Sequence, residues 1–422
     1  MIFLEKISQF VYNVLLFTVK VLLVFFRKSN SKIGLFAIGQ SDLSVKLKDF
    51  SSKRNYNQKL IWFHCASLGE FEQGRPVIEA YKAEFPNDFV LLTFFSPSGY
   101  KIRKNYALAD KVMYMPLDTP GNARAFVKAI QPDVAVFVKY EIWPNFIKEL
   151  KAAGSLVIGI SMIFRESQIY FKYYGSFFRK ALFSFDRLFV QNKETADILV
   201  KNGFTSIETV GDTRFDRVWD TAQQIQAIDR VSEFVGKQQV MVVGSAWAAD
   251  MQVLLPVINA FPELKFIIAP HEIHEVEISD WRKQIHSPTA LFSDLPDEEI
   301  LRETQVVFVD SIGMLSKLYQ YATHAYIGGA FGKGLHNTLE AAVFGVPVFF
   351  GNKNFKKFDE AVALLSLGVA FSVDSHEQLH TLLLNMDAGA LLKIKKDSEA
   401  FIQKNKGATV KIMHFLQEFR VK

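Results

Sequence analysis

Leu60-Ile61-Trp62-Phe63-His64-Cys65-Ala66-Ser67-Leu68-Gly69-Glu70-Phe71-Glu72 joins an unbroken apolar run to a loop of small residues and then to an amphipathic segment. Such a run reads as a strand buried on both faces, and the segment after it as a covering helix. The same unit recurs along the chain. After Leu60–Ala66, the strand candidates are Phe89–Phe95, Lys111–Leu117, Asp133–Tyr140, Leu156–Met162 and Arg187–Asn192. Helix-like stretches such as Phe71–Phe85, Thr119–Ile130 and Asn145–Ala153 lie between them. This alternation predicts a parallel sheet covered on both sides.

From Asp216 to Lys237 the chain turns polar and Gln-rich, and then the alternation restarts. The new strand candidates are Gln239–Ser245, Leu264–Pro270, Val306–Asp310, His324–Gly329 and Pro347–Gly351. The pattern predicts a boundary near residues 218–236. The expected fold class is α/β, with two Rossmann-like, doubly wound parallel-sheet domains at 31–218 and 219–422. Two such domains are expected to face each other across a cleft at the carboxyl ends of their strands, where sheets of this kind bind ligands.

The length of 422 residues suits two domains of about 150–200 residues each. With 49% hydrophobic and 22% charged residues, the composition is that of a globular protein. A net charge of +5, with no dense Lys/Arg stripe among base-stacking aromatics, gives no case for nucleic acid as a partner. It does suit an anionic membrane surface and anionic substrates. The single cysteine, Cys65, rules out an internal disulfide and a cysteine-based zinc site.

Residues 1–30 stand apart. Ile7–Phe26 is mostly apolar and is followed by Arg27, Lys28 and Lys32, with no small-residue cleavage site before that basic flank. Its length is marginal for a membrane span. Phe3, Leu4, Ile7, Phe10, Val11, Val14 and Leu15 recur at helical spacing, which also suits a helix lying in the interface. The segment is read as a membrane anchor, spanning or interfacial, with a buried helix as the alternative. The basic flank favours keeping the body of the protein on the cytoplasmic side.

The loops after the strands carry the candidate chemistry. Glu70 opens a helix after a small-residue loop, where a carboxylate can take a proton from an attacking hydroxyl. The plainer reading is an acidic residue favoured at a helix N-terminus. Glu141, in Lys139-Tyr140-Glu141-Ile142-Trp143-Pro144-Asn145, ends a strand among aromatic groups, or simply belongs to a strand-to-helix turn with Pro144 in its first turn. Arg214 is either a fixed positive charge for a carboxylate or phosphate, or a surface Arg paired with Asp212 or Asp216. Val243-Gly244-Ser245-Ala246 reads as a turn offering backbone N–H groups to a phosphate. Pro270-His271-Glu272 ends the next strand. Gly328-Gly329-Ala330-Phe331-Gly332-Lys333-Gly334-Leu335-His336-Asn337-Thr338-Leu339-Glu340 leads from a strand into a helix. The spacing of His336, Asn337 and Glu340 allows one shared helical face. Glu340 there can accept hydrogen bonds from both hydroxyls of a ribose. No acidic pair has a metal-binding spacing.

Taken in order, these segments resemble the Kdo (3-deoxy-D-manno-oct-2-ulosonic acid) transferases, glycosyltransferase family 30, from about residue 30 to 375. The segments are Leu68-Gly69-Glu70, Tyr114-Met115-Pro116-Leu117-Asp118-Thr119-Pro120-Gly121, Glu141-Ile142-Trp143-Pro144-Asn145, Gly211-Asp212-Thr213-Arg214-Phe215-Asp216, Asp310-Ser311-Ile312-Gly313-Met314-Leu315 and Gly334-Leu335-His336-Asn337-Thr338-Leu339-Glu340. The resemblance implies a GT-B fold and transfer of Kdo from CMP-Kdo to a lipid A precursor at the inner membrane, without a metal or other cofactor. It makes Glu70 the general base and Glu141 and Arg214 supports of the transition state. It assigns the cytidine nucleotide to His271, Glu272, Gly313, Met314, Leu315, Asn337, Thr338, Leu339 and Glu340. Three positions depart from the family pattern. Arg214 replaces a Lys, Pro270-His271-Glu272 stands in place of Pro-Arg-His, and Met314 replaces a Glu. Tyr170-Phe171-Lys172-Tyr173-Tyr174 and Phe177-Phe178-Arg179-Lys180 suit lipid phosphates and acyl chains, or a core helix with a solvated basic face. The alternative function is another GT-B enzyme using a UDP-sugar, either a transferase or a sugar-nucleotide epimerase.

Overall fold

The computed structural model describes residues 2–29, 31–224 and 226–421. The side chains of residues 2–4, Phe3 and Leu4 of the apolar spacing among them, lie outside the described ones, as does that of residue 421. The strands form two seven-stranded sheets. The first contains β1 (Leu60–Cys65), β2 (Phe89–Phe94), β3 (Lys111–Tyr114), β4 (Val134–Val138), β5 (Leu156–Met162), β6 (Arg187–Val190) and β7 (Ile207–Thr209). Its spatial order is β3-β2-β1-β4-β5-β6-β7. The second contains β8 (Val240–Ala246), β9 (Lys265–Pro270), β10 (Thr289–Leu291), β11 (Val306–Phe308), β12 (His324–Ile327), β13 (Val348–Gly351) and β14 (Ala370–Val373). Its order is β10-β11-β9-β8-β12-β13-β14. Neighbouring strands pair in parallel throughout.

The apolar runs are continuous because both faces of each sheet are covered. On β1, Leu60 and Trp62 enter one core with Phe126 and Phe146. Ile61, Phe63 and Cys65 enter the opposite core with Phe71, Val77 and Ile412. The strands absent from the sequence reading, β7, β10 and β14, all lie at sheet edges. Each is short, and β7 is only partly buried, so no sustained apolar run marks it.

The chain divides into two compact units, residues 1–216 with 406–422, and residues 217–405. The last segment is therefore a correction to the assignment of 219–422 to the second domain. The helix Ala408–Val421 places Ala408, Ile412, Met413 and Leu416 in the first unit's core, beside the helix Leu68–Glu84. Asp216 ties it there, because its carboxylate accepts the backbone N–H of Gly407 and, at 2.7 Å, that of Thr409. These are among the orphan donors that open a helix. An amphipathic stripe specifies burial but not the partner, so the return is invisible in the pattern. The polar stretch read as a boundary is largely helical, at Thr213–Gln223 and Asp229–Val235.

The N-terminal helix, Ile2–Phe26, lies along the first unit through one face. Lys180 pairs with Glu5 at 2.8 Å, Ser8 Oγ donates to the Tyr174 carbonyl, and Asn145 Nδ2 donates to Asn13 Oδ1 at 2.9 Å. Lys20 Nζ donates to Asn122 Oδ1 at 3.2 Å, and Leu23 is buried with Ala37 and Leu117. The remaining face is apolar and open, with Phe10, Phe17 and Phe25 exposed by 69%, 64% and 78%.

Candidate active site

Strand order concentrates the sequence motifs. In the first sheet the winding reverses between β1 and β4, which are neighbours. Glu70 follows β1 and Glu141 follows β4, so both carboxylates come from the strands that flank the switch point, where open α/β sheets bind ligands. In the second sheet the reversal falls between β8 and β12. The segments 244–247 and 328–340 lie at the carboxyl ends of those two strands. Three of the non-glycine residues with positive φ also sit at strand carboxyl ends: Lys139 (φ 68°), Ser161 (φ 51°) and Ser245 (φ 53°). Strain of this kind collects where a ligand must be met.

Glu70 stands in the first turn of the helix Leu68–Glu84 and is half-buried. Ser67 occupies the N-cap position but makes no cap hydrogen bond, because its hydroxyl donates to Glu70 Oε2. The pair thus has the spacing of a capping box without its bonding. Glu141 Oε2 accepts Trp143 Nε1–H at 2.7 Å and lies 3.5 Å from His64 Nε2. Arg214 is clamped by Asp212, with Nε at 2.9 Å and Nη2 at 2.7 Å from Oδ2. The structure thus shows the pairing with Asp212 that the alternative reading expected, and Asp212 fixes the guanidinium's direction.

Asp118 secures the start of the helix that follows Glu141. It is buried and accepts Tyr12 Oη–H at 2.8 Å, Asn145 N–H at 3.1 Å and Phe146 N–H at 2.8 Å. Burial pushes its carboxyl up to about 7, against the lowering effect of these donors. One side chain therefore holds the N-terminal helix and the first turn of Pro144–Ala152 together.

In the second unit, the ring of Trp247 stacks on His271 at 4.1 Å between centroids, and His271 meets His336 at 4.6 Å. Lys333 Nζ lies 4.4 Å above the Trp247 ring. Burial lowers the His336 imidazole to about 4, with His271 adding to the effect, and burial also lowers His271. Glu272 binds His274 at 3.1 Å on the surface, which keeps its carboxyl below its ordinary value.

The shared helical face expected for His336, Asn337 and Glu340 does not form. The helix begins only at Leu339, so His336 and Asn337 precede it. The glycine-rich segment stays non-helical up to that point because Gly329 (φ 95°) and Gly334 (φ 133°) hold it in left-handed turns. Asn337 and Glu340 still meet, with Nδ2 donating to Oε1 at 3.1 Å, while Leu339 N–H donates to Asn337 Oδ1 at 3.2 Å. Thr338 Oγ1 is buried and has no hydrogen-bond partner among the described residues. Gly313 has φ 89°, and Met314 and Leu315 open the short helix Leu315–Leu318.

Asp250 ties two loops of the second unit together, and the sequence reading misses it. It is fully buried and accepts Trp247 N–H at 3.0 Å, Gly329 N–H at 2.9 Å and Tyr326 Oη–H at 3.1 Å. It pins the turn after β8 to the turn after β12. Its place three residues after Trp247 is the available signal, since an acid at that spacing is a capping residue. The Trp247 N–H, which follows the Val243-Gly244-Ser245-Ala246 turn, is thereby engaged. His64 and Thr93 escape the sequence reading as well, because buried polar residues inside apolar strands read as core.

These two all-parallel, Rossmann-like sheets define a protein of the GT-B class. Among solved structures, the chain is similar to UDP-GlcNAc 2-epimerase from Neisseria meningitidis (TM-score 0.60, 13% identity, 86% of this chain and 100% of that one). It is also similar to MurG from Acinetobacter baumannii (TM-score 0.54, 12% identity, 86% and 99%). At such identities the likeness is one of fold. Residues 43–217 match the family model described as 3-deoxy-D-manno-octulosonic-acid transferase (kdotransferase). The chain is 26% identical over 383 residues to the 3-deoxy-D-manno-octulosonic acid transferase of Rickettsia typhi, covering 87% of this chain and 81% of that protein. It is 28% identical over 345 residues to the enzyme of the same name from Aquifex aeolicus, covering 80% and 87%. Over most of its length the chain is thus similar to the Kdo transferases, the family its ordered motifs resemble.

Proposed function

We propose that the protein transfers Kdo from CMP-Kdo to a lipid A precursor in one inverting displacement that needs no metal. The observation that carries this reading is the placement of Glu70 and Glu141 after the two strands that flank the first sheet's switch point. Glu70 takes the proton from an acceptor hydroxyl, whose oxygen bonds to the anomeric carbon of Kdo. The bond from that carbon to the phosphate oxygen breaks, and CMP leaves with the electron pair. Glu141 and Arg214 support the charge that develops. His271, Glu272, Gly313, Met314, Leu315, Asn337, Thr338, Leu339 and Glu340 are the proposed nucleotide contacts. Glu272 is the weakest of them, because its carboxylate is already engaged by His274.

The acceptor's acyl chains call for a lipid surface. Glu5–Phe26 is long and apolar enough to cross a membrane. Its polar contacts with the first unit favour a helix lying in the plane of the inner membrane, with Phe10, Phe17 and Phe25 toward the acyl chains. Exposed Tyr173 and Tyr174 continue this surface, whereas Phe177 packs into the fold against Tyr12. The catalytic domains lie on the cytoplasmic side in this reading. The test is CMP release from CMP-Kdo with a tetra-acylated lipid A precursor and a chelator. Wild type releases CMP and Glu70→Gln does not. Release that is unchanged by Glu70→Gln sinks the mechanism, and turnover of a UDP-sugar without lipid favours the epimerase alternative.

A further inference from the structure

His64 is completely buried at the carboxyl end of β1, in register with Thr93 of β2 and Phe137 of β4. Its Nδ1 lies 2.8 Å from Thr93 Oγ1, and that oxygen already accepts Trp62 Nε1–H at 2.8 Å. The threonine hydrogen then has two destinations, Nδ1 or the Phe63 carbonyl at 3.5 Å, which is too far for a good hydrogen bond. Donation to Nδ1 puts the ring proton on Nε2. That nitrogen is buried and has no hydrogen-bond partner among the described residues. It faces Glu141 Oε2 at 3.5 Å, the same oxygen that accepts Trp143 Nε1–H. Trp62, Phe137 and Trp143 pack around the ring. A buried donor left open is costly unless a partner closes on it.

We propose that His64 is a positioning residue for Glu141. Its Nε2–H, oriented by the chain from Trp62 through Thr93, closes onto the Glu141 carboxylate when substrate binds and sets its direction during transfer. Hydrogen bonds of this kind are often long before the substrate is present and shorten in the complex. The inference rests on the transferase reading above.

The experiment compares His64→Phe, which keeps a ring but removes the donor, with His64→Gln, which returns an N–H near Nε2. Each is measured by CMP release and by thermal unfolding, alone and in a Glu141→Gln background. His64→Phe is expected to lower kcat about ten- to a hundredfold with little change in KM, the range typical of supporting partners. His64→Gln should recover most of the loss, and the effect should vanish in the Glu141→Gln background. A folded His64→Phe with wild-type kcat, or a loss that Gln does not restore, overturns the proposal. If His64→Phe does not fold, Thr93→Val decides: a fall in kcat that depends on Glu141 supports the proposal, and wild-type kcat overturns it. A wild type that releases no CMP overturns the transferase reading itself, an outcome distinct from any His64 result.

Discussion

Replacing Asp250 with alanine removes the acceptor for three donors at once: Trp247 N–H, Gly329 N–H and Tyr326 Oη–H. Two of these donors are buried, and each buried donor left unpaired costs about 1–3 kcal/mol, so the loss is at least roughly 2 kcal/mol. For a domain of this size that lowers the melting temperature by about 4–8 °C. The effect belongs to the second unit, because every partner lies within residues 217–405. Hydrogen exchange at the Gly329 amide separates a local opening from global unfolding. Calorimetry with CMP reads the consequence for the nucleotide loops, and weaker binding is expected. An Asp250→Ala protein that melts like wild type, with a protected Gly329 amide, refutes the reasoning.

Three other outcomes follow from the first unit. Asp118 titrates near 7 in the fold, against an ordinary value of 3.8, so the folded state keeps a proton that the unfolded chain has released. Stability therefore falls as pH rises through that window and levels off above it, and Asp118→Asn should flatten the slope in denaturant titrations across pH. Asp216→Ala uncaps the helix Ala408–Val421 and should destabilise the first unit by about 0.5–2 kcal/mol, read by urea unfolding. Phe17→Asp and Phe25→Asp should reduce binding to anionic vesicles without lowering the melting temperature, because both side chains are exposed.

Most of the fold was legible because strands buried on both faces announce themselves as apolar runs, as Leu60–Cys65 does. The edge strands were not, since β7, β10 and β14 need only one neighbour and little burial. The return of Ala408–Val421 to the first unit was hidden for a related reason, because an amphipathic helix does not name its partner. At the site, carboxylates that follow strands were readable as Glu70 and Glu141. The residues that orient the loops, Asp118, Asp250 and His64, are buried among apolar neighbours, and only the folded structure shows what they hold.

The central claim is Kdo transfer to a lipid A precursor, and product mass tests it most directly. Wild-type protein incubated with CMP-Kdo and the tetra-acylated precursor should yield acceptor heavier by whole Kdo units, with CMP formed in step. Unchanged acceptor, with CMP-Kdo intact, would contradict the account.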